Sequence, residues 1–375
     1  MGKMEINTNV FGGVYAGKRV LVTGNTGFKG SWLTLWLLEM GAEVYGLSNT
    51  VPGDTCMFNQ LNLEQRIHHH WVDIRDLNQV QAIVHQVQPE FVFHLAAQAL
   101  VSVSYDAPID TIATNVMGTA NILEALRLEN PDCTAVIITS DKCYDNVEWV
   151  WGYKETDAMG GRDIYSGSKG AAEIVFKSYF HSFFKKESCK VRLCTARAGN
   201  VIGGGDWALD RIVPDCIRSW SKGLPVEIRS PKATRPWQHV LEPLSGYLAL
   251  GQQLSLEKSL HGESFNFGPQ AENNHTVVEL LSAVGTTFGL PSNVEPYTIT
   301  GNIPFHEAGL LKLNCDKALF FLKWVPTFTY EELIAFTGQW YKSWHEGSVD
   351  LFDLTMEQLK AYQSLAGARS RHWIA

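Results

Sequence analysis

Short apolar, β-branched runs alternate with longer amphipathic stretches through the first half of the chain. The runs KRVLVT (18–23), AEVYGLS (42–48), IHHHWVDI (67–74), FVFHLAA (91–97), TAVIITS (134–140) and KVRLCTAR (190–197) predict six strands. Between them the spacing predicts helices over 31–40, with Trp32, Leu33, Trp36 and Leu37 on one face, and over about 76–87, 108–129 and 163–185. Strands alternating with helices at this spacing imply an α/β chain built on a doubly wound parallel sheet. Past residue 198 the regularity breaks. A run of Gly203, Gly204 and Gly205 is followed by loops bounded by Pro214, Pro225, Pro231 and Pro236. The expectation is a nucleotide-binding domain over 1–198, with segments near 240–270 returning to it. A smaller substrate-binding domain over 199–239 and 271–375 would then cover the C-terminal edge of the sheet.

Composition narrows the class. With 375 residues, 45% hydrophobic and 19% charged, the chain can bury a large core without staples. A net charge of -8 and a pI near 5.8 argue against a nucleic-acid or anionic-membrane binder. Seven cysteines without C-x-x-C or zinc spacing read as buried thiols in a reducing compartment. No leader-like apolar run and no bilayer-length stretch are present, so the expectation is a cytoplasmic protein. His68, His69 and His70 fall on a predicted strand, whose alternation sends them to opposite faces, so no metal site is expected there.

Gly24-x-x-Gly27-x-x-Gly30 lies between the first predicted strand and the first helix. Glycines there allow a tight turn, close approach of a pyrophosphate and close helix packing, while the helix N-terminus offers unpaired N–H groups. The second strand ends Leu47-Ser48-Asn49-Thr50, with no acid for a ribose and no base for a 2′-phosphate nearby, which favours NAD. Ser48 stands where the acid would be. Asp73, after the third strand, is placed either to meet the adenine or to cap its own loop.

Tyr165-x-x-x-Lys169 puts a phenol and an ammonium on one helix face. A nearby ammonium and a nicotinamide cation would lower the phenol towards use as a base for an alcohol proton. Ser140-Asp141-Lys142 follows the fifth strand, whose C-terminal end opens on the ligand crevice. Ser140 is placed to bond a substrate hydroxyl. Asp141 and Lys142 add a second acid/base pair, which alcohol oxidation does not need. Elimination of water does need it, because one group must take a carbon-bound proton while another protonates the departing hydroxyl.

On these residues the chain resembles the extended short-chain dehydrogenase/reductases that modify nucleotide sugars, on a Rossmann sheet. The resemblance is carried by VLVTGNTGFKGSW (20–32), Val72-Asp73-Ile74, HLAAQ (94–98), TNVMGT (114–119), the Tyr165/Lys169 pair, RAGNVIGGGDW (197–207), RPWQHV (235–240) and NFGP (266–269). Within that family it is most similar to the CDP-glucose 4,6-dehydratase branch, which carries Lys at the position of Lys142. The resemblance implies NAD bound by Gly24, Thr26, Gly27, Phe28, Lys29, Gly30, Ser48, Asp73, Ile74, Leu95, Ala96, Ala97, Gln98, Thr114, Tyr165 and Lys169. It implies CDP-glucose held by Ser140, Asn200, Arg211 and Arg235, the last by bidentate contact with the diphosphate. It also implies catalysis by Ser140, Asp141, Lys142, Tyr165 and Lys169, no metal, and a homo-oligomer, dimer or tetramer. Tyr165 would take the sugar O4 proton, Lys142, in its neutral form, the C5 proton, and Asp141 would protonate the leaving C6 hydroxyl. The resemblance places His306-Glu307 near the substrate. Trp149 and Trp151 read as a lid or as core. Two other readings stay open. One is a nucleotide-sugar 4-epimerase, whose members carry small residues at 141 and 142. The other is a non-catalytic NAD-binding protein, which would usually lack Tyr165 or Lys169. A product assay for a 4-keto sugar separates them.

Overall fold

Val20 and Val22 point to one side of the first strand and Leu21 to the other, and all three are fully buried. Burial on both faces is the mark of a parallel strand covered by two helix layers. The structure, a computed structural model, describes residues 10–270, 275–291, 294–300 and 310–374. Its central sheet has seven strands, β1 (Arg19–Thr23), β2 (Glu43–Ser48), β3 (His68–Trp71), β4 (Phe91–His94), β5 (Thr134–Ile138), β6 (Arg192–Arg197) and β7 (Ser264–Asn266). They lie in the order β7-β6-β5-β4-β1-β2-β3, every pair parallel. The chain winds one way from β1 to β3 and the other way from β4 to β7. The crevice therefore opens at the C-terminal ends of β1 and β4, where the winding reverses.

One face of the sheet is covered by α1 (Phe28–Glu39) and α5 (Leu241–Leu256), with α6 (Leu351–Ala368) packed outside them, and the other by α2 (Leu77–Val87), α3 (Gly118–Glu129) and α4 (Ile164–Tyr179). All six strands read from the sequence are present, and β7 joins them from the segment near 240–270. The helix read as one-faced is buried nearly all round, from Gly30 to Leu37. Its outer face meets a third layer, because Trp36 lies 5.8 Å from Tyr362 and 5.7 Å from Trp373, ring centre to centre. Thus α6, read as part of the smaller domain, packs into the same core as α1.

The long helix expected over 108–129 is interrupted by a π turn at Ala113–Met117, and α4 ends in a second π turn at Phe180–Phe184. A separate apolar cluster joins Val213, Ile217 and Trp220 to Val284, Trp340 and Tyr341 beyond the C-terminal edge of the sheet. On β3, His68 and His70 share a face over the Tyr45 ring, and His69 points the other way, its Nδ1 3.0 Å from Asn25 Nδ2. The seven cysteines are free thiols. Among the described residues no helix is long and apolar enough to cross a membrane.

Candidate active site

The chain leaves β1 at Gly24 with φ +72°, and a Cβ there would fall 2.7 Å from Ala96 N at the end of β4. A Cβ on Gly30 would fall 2.1 Å from Gly24 O. Only glycine permits this double contact of loop, helix and neighbouring strand. It lets α1 start at Phe28 with no side-chain cap, so its first-turn N–H groups face the crevice without intrahelical acceptors.

A cavity of about 470 Å³ runs along this loop. Its walls include Gly24, Thr26, Gly27, Phe28, Lys29, Gly30, Ser48, Asp73, Ile74, Leu95, Ala96, Ala97, Gln98, Thr114, Tyr165 and Lys169. At its far end Ser48 is buried and faces the loop, its hydroxyl donating to Asn25 Oδ1 at 2.9 Å and lying 3.4 Å from Thr26 N. Ser48 thus braces the glycine turn. Beside it on the cavity wall, Asn49 donates to Asp73 Oδ2 at 3.1 Å. Asp73 receives Arg75 on the same carboxylate, and hydrogen bonds from Arg75 hold it below the usual carboxylate range. It therefore caps its loop while lining the cavity.

A second cavity of about 400 Å³ lies between the sheet edge and the outer cluster, and shares Lys29, Ser140, Tyr165, Asp206 and Arg211 with the first. Its walls bring together Ser140, Asp141, Lys142, Tyr165, Asn200, Arg211 and Arg235. Arg211 is tied to Asp206 at 2.9 Å, and Arg235 donates to Thr234 O at 2.9 Å. Trp149 and Trp151 line neither cavity and are 38% and 70% exposed, so they form neither the expected lid nor core. Their rings meet each other, and Trp149 also meets Tyr153. His306 and Glu307 lie outside the described residues.

At the shared wall, Asp163 caps α4 by accepting from Ser166 N at 2.8 Å, which sets Tyr165 and Lys169 on the buried face of the first turns. Lys169 Nζ sits 5.9 Å from the centre of the Tyr165 ring. Burial pushes Lys169 down to about 8. Burial pushes Tyr165 up to about 12, Asp141 adding to it while a hydrogen bond with Ser140 and the charge of Arg211 pull the other way. The protein alone thus raises the phenol that the sequence expected a nearby ammonium to lower, because desolvation outweighs the neighbouring cations. Lys29, between the two cavities, is brought to about 8 by burial and then by Arg211.

After β5 the chain forms a single 3₁₀ turn over Asp141–Cys143 with Ser140 as its cap. Ser140 Oγ donates to Asp141 Oδ1 at 2.9 Å and accepts from Lys142 N at 3.2 Å. Asp141 is buried against the backbone of Gly199, where a Cβ would fall 1.9 Å from its Oδ2. Lys142 is half-buried on the cavity wall.

Three supports of this site were missed in the sequence. One is Gly199, whose bare Cα makes room for Asp141. Another is Asn115, in the π turn, which donates to Ser168 Oγ on α4 at 2.9 Å and accepts from Gln98 N at 2.8 Å. The third is a fully buried ion pair behind the reacting groups. Glu173, one turn after Lys169, takes Arg197 Nε at 2.8 Å and Nη2 at 2.9 Å. It also accepts from Thr139 at 2.6 Å and Thr195 at 2.9 Å. Burial alone would raise Glu173, but Arg197 and these hydroxyls hold it below the usual carboxylate range. The i, i+4 spacing of Lys169 and Glu173 was the available signal, but it reads equally as a surface pair. Glu173→Gln is expected to lose about 3–5 kcal/mol of unfolding free energy, because it strands a buried guanidinium. Urea unfolding checks it, and a loss below about 1 kcal/mol would show that the pair is not what ties α4 to β5 and β6.

Residues 21–337 match the family described as GDP-mannose 4,6 dehydratase. Over 353 residues the chain is 45% identical to a CDP-glucose 4,6-dehydratase of Salmonella typhimurium, covering 93% of this chain and 97% of that protein. A UDP-glucose 4-epimerase of Thermus thermophilus, solved in complex with NAD, superposes with a TM-score of 0.72 at 27% identity, covering 88% of this chain and 100% of that one. A dTDP-glucose 4,6-dehydratase of Bacillus anthracis, also solved with NAD, has a TM-score of 0.71 at 21% identity over 88% of this chain and 98% of that one, a likeness of fold alone.

Proposed function

Since the chain belongs to the GDP-mannose 4,6 dehydratase family, we propose that it dehydrates CDP-D-glucose to CDP-4-keto-6-deoxy-D-glucose and water, with NAD as its cofactor. One observation carries the reading. A second acid/base pair, Asp141 and Lys142, lines the same cavity as Tyr165, at the wall it shares with the cavity along the glycine loop. An epimerase has no use for that pair.

The first cavity suits an elongated dinucleotide, with the first turn of α1 meeting its phosphates, Asn49 and Asp73 its adenosine end, and Tyr165 and Lys169 its nicotinamide. When bound, NAD supplies the acceptor for the C4 hydride and the donor that returns it to C6. The chain's own residues handle protons and position. Tyr165 takes the O4 proton, with Ser140 bonding that hydroxyl. The 4-keto group then acidifies C5, Lys142 takes the C5 proton, and Asp141 protonates the C6 oxygen as it leaves. Arg211, Arg235 and Asn200 hold the nucleotide diphosphate and sugar.

The same reading makes the protein a cytoplasmic lyase whose product feeds 3,6-dideoxyhexose synthesis for bacterial O-antigen and lipopolysaccharide. It works as a homo-oligomer. In support of assembly, Ile109, Ile112, Met117, Ile164 and Ile174 stand exposed on and around the two helices that carry Thr114 and Tyr165.

The test is a screen of CDP-, dTDP- and UDP-glucose and GDP-mannose for a 4-keto product by its absorbance in alkali. CDP-glucose is expected to give it at least about tenfold faster than the others, the order of discrimination that one well-filled contact supplies. A C4-inverted sugar with no 4-keto product would replace the reading by an epimerase.

A further inference from the structure

In the proposed reaction the hydride leaves C4 and returns to C6 within one turnover, so the same cofactor must stay in place throughout. β2 ends without an acid to hold its ribose. Ser48 is turned to Asn25, and the Asp73 carboxylate already receives Asn49 and Arg75. The cavity along the glycine loop has a further wall, which comes from beyond β6. Gly205, Asp206, Trp207 and Ala208 line that cavity, and of these only Asp206 also lines the second.

Side chains from outside this stretch take its carbonyl oxygens one after another, which fixes its path. Trp32 Nε1 on α1 donates to Gly204 O at 2.9 Å, and Tyr341 Oη donates to Asp206 O at 2.6 Å. Arg218 donates to Trp207 O at 3.0 Å and to Ala208 O at 3.2 Å. Arg211 closes the turn on the Asp206 carboxylate at 2.9 Å. At Gly205 φ is +82°, and a Cβ would fall 2.8 Å from Met57 Sδ, so glycine is what lets this wall meet the segment that leaves β2. That segment gives Thr50, Pro52, Cys56 and Met57 to the same cavity. The half-buried Trp207 ring is fixed too, 4.5 Å from the Trp344 ring and 5.4 Å from the Tyr341 ring, centre to centre.

We propose that Trp207 is a cofactor-binding residue, and that residues 205–208 form a fixed wall that retains the adenosine half of NAD in place of a ribose acid. The proposal rests on NAD as the cofactor and adds which residues from beyond β6 keep it there. It does not depend on the identity of the sugar. The adenosine half is assigned from the wall's neighbours. Gly205 meets Met57 on the connection between β2 and β3, and the near end of that connection carries Asn49 and Thr50 into the cavity. An indole suits the task, because its flat apolar face gains contact area against a nucleoside and needs no charge there. Because the wall is already in place, no loop has to be ordered when the dinucleotide enters.

Titration of the full chain, freed of cofactor, with NAD, ADP-ribose and CDP tests the wall. Trp207→Ala should raise the Kd for NAD about 30-fold, within the range that loss of one base–aromatic contact costs. The Kd for ADP-ribose, which lacks the nicotinamide, should rise by the same factor. Release of NAD from the loaded enzyme should speed up in proportion. CDP belongs to the second cavity, which Trp207 does not line, so its Kd should stay within about threefold. Trp207→Phe keeps a flat ring and should recover most of the affinity. Trp207→Leu fills the space beside Tyr341 and Trp344 without a flat ring and should match Trp207→Ala. It is the deciding variant if circular dichroism shows Trp207→Ala unfolded. NAD affinity within about threefold of wild type in these two variants overturns the wall. An equal weakening of CDP and NAD also overturns it, by showing that Trp207 only supports the packing around it. NAD weakened with ADP-ribose unchanged overturns the assignment to the adenosine half. A wild type that binds no NAD overturns the cofactor reading and the wall with it. A wild type that binds NAD but makes no 4-keto product overturns the dehydratase reading alone, and the titrations still decide the wall.

Discussion

Tyr165→Phe is expected to lose about 10³-fold in turnover, the middle of the range for removing a positioned acid/base group and equivalent to ~4 kcal/mol of barrier. The substitution keeps the ring, so it keeps the packing that buries the start of α4 and the face that Lys169 lies against at 5.9 Å. What it removes is the one oxygen able to take the O4 proton. Lys169 is not placed to replace it, because it lines only the first cavity, not the one that holds Asp141 and Lys142. Ser140 cannot either, because its hydroxyl is already directed at Asp141. Reduced cofactor should therefore fail to appear when substrate is added to the variant, while NAD binding, measured by titration, stays within about threefold of wild type because the glycine loop and Lys169 are untouched. Near wild-type turnover in Tyr165→Phe would mean that the base is another group. The size of the loss depends on the environment. Burial has raised this phenol to about 12, so its use as a base depends on the positive charge that a bound cofactor would bring beside it.

The parts of this molecule legible in its sequence are those in which one local pattern has one meaning. Parallel strands buried on both faces are continuous apolar runs, so β1, β2, β4, β5 and β6 stand out, and the three glycines after β1 can only mark a tight strand-to-helix turn there. The pairing of Tyr165 with Lys169 is written in helical spacing. What local pattern cannot carry is contact across the chain. The outer face of α1 reads as if it should meet solvent, because its cover, Tyr362 and Trp373, arrives more than 300 residues later. Ser48 occupies the position of a ribose ligand in the order of the chain, yet its hydroxyl is turned to Asn25, a contact set by the curl of the glycine loop. The loop with Trp149 and Trp151 is rich in aromatics, which suits a lid, a core or a surface equally, and only the fold shows that the two rings line neither cavity. Gly199 stands alone, ahead of the run Gly203, Gly204 and Gly205, and nothing local distinguishes it. Its importance appears only when β6 brings it against Asp141. The reacting groups thus announce themselves by residue type, and the residues that hold them do not.

Lys142→Met is expected to separate the two halves of the reaction. Tyr165, Ser140, Asp141 and Lys169 all remain, so C4 oxidation should proceed within about threefold of the wild-type rate, the first half needing none of the second half's base. The C5 proton then has no acceptor. Asp141, buried against Gly199 and bonded to Ser140, is given the separate task of protonating the C6 oxygen, so it does not take on the second one. Elimination should fall by about 10²–10⁴-fold, the cost of losing a positioned general base, and the variant should accumulate reduced cofactor together with a bound 4-ketoglucose nucleotide. Methionine keeps the length and the apolar stem of the side chain, which is half-buried on the cavity wall, so the fold should tolerate it. Acid quench followed by borodeuteride trapping reads the bound intermediate, and absorbance reads the cofactor. Isotopes supply the independent check in the wild type. Deuterium from D2O should enter at C5, because a lysine ammonium exchanges with solvent before it returns the proton, whereas hydrogen labelled at C4 should reappear at C6 without dilution. Dehydration by Lys142→Met at the normal rate would reduce Lys142 to a side chain on a turn and send the search for the C5 base to Lys29, the other lysine of the second cavity, which burial and Arg211 have already brought to about 8. Loss of the C4 label to solvent would instead refute internal hydride return, since a hydride kept on bound cofactor has no route to water.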